Sequence, residues 1–431
     1  MSEQRAVVIG AGLGGLLSAA LLCKHGRRVT VTEKLSFIGG KFTQFDYQGF
    51  AVPTGAFHTL PGGVNGPVMR ALGALGLSAE ALPLSMVLYT EKRGRLHPMY
   101  PHLRPNMRRR DSLFWAFGLR DLIGLGRMGR ELKAGQNGPG GTLAENLRRF
   151  GISRRAERIL SKMMEFSSAV PSDEADFLDF ADCVRAHVGA TPCVLTGGCR
   201  SIIDALESYI RGHGGEIITR ARAARIAVED GVVRGVGLAD GRFLEAQIVT
   251  SSAGPQVTSR CLGPDCPGAL AAKAAPAPAW GAAHSLRATE PFLRHDSIEL
   301  PYDLERIGGY IEINRLAPRL APPGWSYLLA YQHLRPDRDV PTQLRAGTAE
   351  LMERFTGLRG LEEFNIATYR KGWPGARMQA RHGQSGADRL PLQVDGIRGL
   401  YMLSDDNRAK GLAAEIIGST ALRFDELLEG M

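Results

Sequence analysis

A short apolar run, followed at once by glycines at fixed spacing, constrains this chain more than any other feature. Ala6-Val7-Val8-Ile9 carries no polar side chain, as expected of a strand buried on both faces of a parallel sheet. Gly10-Ala11-Gly12-Leu13-Gly14-Gly15 follows and supplies G-x-G-x-x-G at Gly10, Gly12 and Gly15. The three glycines have separate tasks: a tight turn, room for a pyrophosphate, and close packing of helix on strand. Leu16 to His25 continues in a helical pattern, and Gly26 is placed to end that helix. A second apolar strand, Val29-Thr30-Val31, leads to Glu33, 18 residues past Gly15, where a ribose-binding carboxylate belongs. This order predicts a dinucleotide cradle at Gly10, Gly12, Leu13, Gly14 and Gly15, with Glu33 and Lys34 at the end of the second strand. The pyrophosphate is expected on the unpaired N–H groups of the helix N-terminus. A glutamate at that strand end argues against a 2′-phosphate, so NADP is not expected.

Six residues past Glu33 stands Gly39-Gly40-Lys41. It resembles the glycine-doublet motif of the flavoprotein family that includes phytoene desaturases, amine oxidases and protoporphyrinogen oxidases. That family usually has Arg after the doublet; Lys41 keeps the charge and loses the bidentate fork. Tyr47-Gln48-Gly49-Phe50 and Thr54-Gly55-Ala56-Phe57-His58 resemble its next segment, where a strand and loop return beneath the flavin. His58 is the titratable side chain of that loop. Two readings stand: a catalytic, proton-handling group beside the isoalloxazine, or a hydrogen-bonded loop histidine.

Two later blocks extend the resemblance. Leu195 to Ala253 reads as loop, helix, strand and a hairpin turning at Glu229-Asp230-Gly231, then a closing strand from Ile248. In the family the backbone near Ala223 meets the adenine, and Ala253 lies at the end of the closing strand. Gly399 to Leu403 reads as a buried strand ending at Ser404-Asp405, and Gly411-Leu412-Ala413-Ala414 opens a helix through Leu422. The resemblance implies that Asp405 holds the ribityl or pyrophosphate part of the cofactor. It also implies that the helix beginning at Gly411, Leu412 and Ala413 points its positive end at the flavin pyrimidine. Ser404 replaces the usual glycine, and Ala413 stands where proline is common.

The resemblance therefore implies FAD rather than NAD, and an α/β fold of the two-dinucleotide-binding flavoprotein type. A Rossmann-type FAD-binding domain would be assembled from 1–79, 190–259 and 386–431. An interleaved α+β substrate domain would comprise 80–189, mainly helical, and 260–385, with strands near Trp280–Leu286, Tyr310–Ile313 and Trp325–Tyr331. Trp373-Pro374 with Arg377, Met378 and Gln379 resembles a loop near the flavin. The implied activity is phytoene-desaturase-like hydride removal from an apolar, isoprenoid-type substrate, with oxygen or a quinone as electron acceptor. Rivals are an amine-oxidase-like or protoporphyrinogen-oxidase-like enzyme, a redox-neutral isomerase using reduced flavin, and a flavin-free binding protein on the same scaffold. An amine oxidase calls for an aromatic cage, with Tyr310, Trp325, Tyr331 and Trp373 as candidates.

The totals agree with a folded enzyme of this size. The chain has 431 residues, 44% hydrophobic and 23% charged, which suffices for two domains or one large interrupted one. Six cysteines show no CxxC or other metal spacing, so free structural thiols and no metal site are expected. The opening MSEQR lacks a basic n-region, and the first apolar run reads as folded strand and helix in a cytoplasmic protein. The net charge is +9, and eight Lys or Arg against three acids lie between Arg104 and Lys133, around Leu113-Phe114-Trp115-Ala116-Phe117. That stretch (104–133) reads either as a basic amphipathic helix on the anionic inner face of a membrane or as a solvated helix packed on the core. No nucleic-acid module accompanies the charge.

Overall fold

The computed structural model describes residues 4–431 apart from 85–86, 91–95, 99–116, 134–139, 169, 190, 275–279, 336 and 370–388. A five-stranded parallel sheet carries the N-terminal signature. Its order is Glu216–Ile218, Arg28–Thr32, Arg5–Ile9, Ile248–Ser251 and Leu400–Met402. Three distant stretches of chain thus lie side by side, with Val8 opposite Val31 on one side and Thr250 on the other. The helix Leu13–Lys24 is buried from Leu13 to Cys23, so its sequence has no polar face, as expected of a helix covered on all sides. It packs on the sheet, on the helix Gly198–Gly212 and on the helix Ala414–Glu429.

The expected hairpin is present: Ala223–Glu229 pairs antiparallel with Val232–Leu238, and Asp230 and Gly231 turn with φ of 50° and 69°. Positive φ at both turn residues matches the twist of the flanking strands. A second hairpin, Gln44–Tyr47 with Phe50–Pro53, turns through Gln48 and Gly49 at φ 54° and 82°.

A seven-stranded mixed sheet forms the other half of the molecule. Its order is Glu362–Tyr369, Trp280–Ala288, Ser326–Leu334, Ile307–Glu312, Ile298–Pro301, Val87–Thr90 and Leu96–Pro98. The strands expected near Trp280, Tyr310 and Trp325 are its centre. Helices make up most of the described part of 80–189, as expected. Helices Leu119–Lys133, Leu143–Arg149, Arg154–Ser168 and Phe177–Gly189 are there, but Val87–Thr90 pairs parallel with Ile298–Pro301 and joins the sheet. Short strands with few alternations carry little periodic signal, and this one depends on a partner 211 residues away, Val87–Thr90 against Ile298–Pro301. Thr142 caps its helix through a capping box with Glu145. The helix Arg154–Ser168 crosses the sheet where Gly308 and Gly309 leave room; a Cβ on either would come within 2.8 Å of Glu165 or 2.6 Å of Phe166.

No helix among the described residues is long and apolar enough to cross a membrane. Of the basic stretch, 104–116 lies outside the described residues, as do Trp373, Pro374, Arg377, Met378 and Gln379. The six cysteines are free thiols, all buried except the half-buried Cys266. Burial pushes the Cys23 and Cys193 thiols up to about 11, which keeps them protonated and unreactive.

Candidate functional site

The glycines of the first loop divide their work as the spacing predicts. Gly10 turns at φ 92°. A Cβ on Gly15 would lie 1.8 Å from the Gly10 carbonyl oxygen, and one on Gly14 2.2 Å from that of Leu403. Gly12 differs: the nearest atom to its Cβ position is Ser252 Oγ, 3.8 Å away. Gly14 and Gly15 are therefore packing glycines, while Gly12 leaves backbone open to an approaching group. Leu13, buried, begins the helix. The helix N-terminus has no side-chain cap and no acid in its first turn, so its positive end is not neutralised by the protein's own side chains.

Glu33 ends the second strand and is buried. One carboxylate oxygen accepts from the Ala11 N–H at 2.8 Å and the other from the Leu35 N–H at 2.9 Å. These bonds fix the acid beside the glycine loop, and Lys34 is exposed next to it. Ala223 starts its strand just after Ala221, whose N–H donates to the Glu33 carbonyl at 2.8 Å. Ala253 follows Ser252, whose Oγ donates to the Gly10 carbonyl at 3.4 Å.

The glycine doublet is a turn strapped from behind. Gly39 and Gly40 have φ of 99° and 57°, and the Gly39 N–H donates to the Ala11 carbonyl at 2.7 Å. Thr54 Oγ1 donates to the Gly40 carbonyl at 2.8 Å, and the Ala56 N–H to that of Lys41 at 2.9 Å. A Cβ on Gly55 would sit 2.7 Å from the Lys41 carbonyl oxygen. The strap aims Lys41 across the molecule, where its ammonium forms an ion pair with the Asp405 carboxylate. Two residues 364 apart in sequence thus face the same loop.

Beyond Asp405, Gly411 has φ 125° and Ala413, the residue before the helix Ala414–Glu429, has φ 47° and ψ −117°. Positive φ costs an alanine what it does not cost a glycine. Leu412 is buried, and its carbonyl accepts from the Glu415 N–H at 2.9 Å. Glu415 is a residue the sequence analysis did not single out. Its buried carboxylate accepts from the Gly62 N–H at 2.9 Å and the Val68 N–H at 3.0 Å. Burial pushes its carboxyl above the usual range, against the lowering effect of those two donors. An acid in the first turn of a helix after a glycine-containing loop was the only available signal.

His58 takes the loop-histidine reading, which corrects the expectation of a catalytic group. It is fully buried; Nε2 bonds the Ala51 carbonyl at 2.9 Å, and Nδ1 accepts from the Cys199 N–H at 3.2 Å. Burial lowers its pKa to about 4. A neutral ring with both nitrogens on backbone positions the chain and has no nitrogen left for substrate.

Aromatic rings meet between the loop and the large sheet. Phe57 lies 5.5 Å from Tyr331 and 6.0 Å from Phe166, and Phe50 lies 5.3 Å from Tyr327 (ring centroids). Of the described cage candidates, Tyr310 lies in a different buried cluster from Trp325 and Tyr331. Tyr310 donates to Glu299 at 2.7 Å and packs on Phe355, while Trp325 lies under Arg287.

Residues 8–75 match the model of the NAD(P)-binding Rossmann-like domain. A crystal structure of an oxidoreductase from Methanosarcina mazei superimposes with a TM-score of 0.84 at 26% identity, covering 98% of this chain and all of that one. An uncharacterized protein of Methanocaldococcus jannaschii is 25% identical over 94% of each chain. The chloroplast prolycopene isomerase of Daucus carota is 25% identical over 58% of this chain and 46% of its own length, so this chain spans about half of that relative. The chain is thus similar over most of its length to a solved oxidoreductase and over 58% of it to a prolycopene isomerase, with the Rossmann-like match at its N-terminal end. The Rossmann-like match includes Gly10–Gly15, Glu33 and Lys41 of the cradle.

Proposed function

We propose that the chain is an FAD-dependent oxidoreductase that removes hydride from an apolar, isoprenoid-type substrate. The observation that carries this reading is the meeting of the Gly10–Gly15 loop, the doublet residue Lys41 and the strand-end residue Asp405 in one place. The donor set suits FAD: an open backbone at Gly12, an uncapped helix end for pyrophosphate, and a fixed carboxylate at Glu33 for ribose hydroxyls. Lys41 and Asp405 would hold the ribityl and phosphate region as a neutral pair. FAD, when bound, supplies the hydride-accepting chemistry.

The protein's own contribution is position and dryness. Phe57, Phe166 and Tyr331 offer an apolar wall beside the strapped loop, and His58 anchors that loop to the Ala51 and Cys199 backbone. The absence of any call for a nearby acid or base suits a polyene, which can spread charge along its length. Relatives acting on carotenoid-type compounds support the substrate class, and oxygen or a quinone is the proposed acceptor. A two-domain division at 1–79, 190–259 and 386–431 against 80–189 and 260–385 is part of the same reading.

The test is the spectrum of purified protein after incubation with FAD. A flavin band at about 450 nm, bleached by an apolar polyene and not by amines, is expected. No band would leave a flavin-free binding protein as the better reading. A membrane contact is also proposed, because Leu119 (76% exposed) and Ile123 (51% exposed) share a helix with exposed Arg120, Arg127 and Arg130. Flotation with phosphatidylglycerol vesicles should fall in R120Q/R127Q/R130Q and with added salt; equal flotation with neutral vesicles would count against it.

A further inference from the structure

A cavity of about 520 Å³, lined mainly by polar and charged residues, lies where the helix Arg154–Ser168, the end of the strand Ser326–Leu334 and the helix Val340–Arg354 meet. None of its lining residues is a candidate cofactor ligand. Its floor is built and already neutral. Lys162 Nζ donates to Glu165 Oε2 at 2.7 Å and to the Ile307 carbonyl at 3.0 Å, and Ser161 Oγ donates to Glu165 Oε1 at 2.8 Å. Lys162 and Glu165 are both more than nine-tenths buried. Arg335 is likewise committed, to Asp173 at 2.7 Å and Glu174 at 3.2 Å.

Three lining groups remain uncommitted. The guanidinium groups of Arg158 and Arg338 have no hydrogen-bond or ion-pair partner among the described residues, and both side chains are exposed at the cavity. His333 Nδ1 is shielded from solvent and has no hydrogen-bond partner among the described residues. The Glu165 Oε2 atom is 4.0 Å from it, beyond hydrogen-bonding range. Burial holds the ring below its ordinary range, hence neutral. A shielded polar atom without a partner is costly unless something else completes it.

We propose that this cavity binds a phosphate group, held between Arg158 and Arg338 and hydrogen-bonded by His333 in its Nδ1–H form. Two guanidinium forks match the charge and the several oxygens of a phosphate better than they match a single carboxylate. The ligand is inorganic phosphate, or the phosphate or diphosphate end of a larger molecule; the site recognises the chemistry the two share. It is independent of the flavin reading.

Calorimetric titration of the full chain with inorganic phosphate, pyrophosphate and succinate tests it. Saturable binding of phosphate or pyrophosphate is expected, tighter for whichever source the site serves. R158Q/R338Q should weaken it at least about tenfold with an unchanged melting temperature, because both residues are exposed. His333→Phe should weaken it as well. Three results would overturn the proposal: no saturable binding of either phosphate, succinate binding as tightly, or binding unchanged in R158Q/R338Q. The last is what phosphate captured by the Gly10–Gly15 loop would give.

Discussion

Two helices begin at the cradle, and they are prepared in opposite ways. The helix Leu13–Lys24 starts from glycines, with no acid in its first turn and an open approach at Gly12. The helix Ala414–Glu429 starts from Ala413 at positive φ and carries Glu415 in its first turn, already hydrogen-bonded to Gly62 and Val68. The first positive end carries no protein charge, which is what the proposed pyrophosphate site needs. The second is partly spent on the protein's own carboxylate, which suits a neighbour whose charge is small or transient. One end is left open by the protein; the other is held in place by long-range contacts.

The sharpest way to break this contrast is within the first loop. Gly15→Ala should prevent stable folding, because a Cβ 1.8 Å from a backbone oxygen cannot be accommodated and such overpacking costs roughly 3 kcal/mol or more. Gly12→Ala should melt as wild type but lose flavin, since its Cβ meets nothing closer than 3.8 Å. Thermal melts and flavin occupancy together check the pair. Equal melting of the two variants would remove the distinction between packing glycine and binding glycine.

At the second helix, Glu415→Ala orphans the Gly62 and Val68 N–H groups and should cost roughly 4 kcal/mol, read by denaturant unfolding. Glu415→Gln should recover part of that loss, because its amide oxygen can still accept. A loss below about 1 kcal/mol would mean that this helix end is as free as the first.

The strap behind Lys41 has a pH signature. His58 falls from 6.5 to about 4 in the folded chain, so the unfolded chain binds more protons between those values. The stability tied to neutral His58 is complete above pH 6.5 and is lost as pH falls toward 4, by about 3 kcal/mol in all. His58→Gln should be less stable at neutral pH and show a flatter decline in acid. A parallel decline in both proteins would assign the pH dependence elsewhere.

The smallest effect belongs to Ala413. Replacing it with glycine removes the strain of φ 47° and should stabilise the protein by about 1 kcal/mol. Reduced flavin affinity in that variant, despite the added stability, would show that the strained turn helps aim the second helix.

The half-site from Ala6 to Glu33 was legible because every signal in it is local. An apolar strand, three glycines, a helix and a strand-end acid each follow from interactions within a few residues, and the order alone predicts their task. The doublet Gly39-Gly40, the hairpin at Asp230-Gly231 and the strand before Asp405 were legible for the same reason. Tertiary structure decided the rest. It joined Lys41 to Asp405 and Glu415 to Gly62 and Val68, and it made His58 an anchor instead of a proton carrier. It placed Tyr310 in a different buried cluster from Trp325 and Tyr331, and it drew Val87–Thr90 into the large sheet. Those outcomes depend on which distant groups close onto one another and on what burial then does to a charge, and no local pattern of residues encodes either.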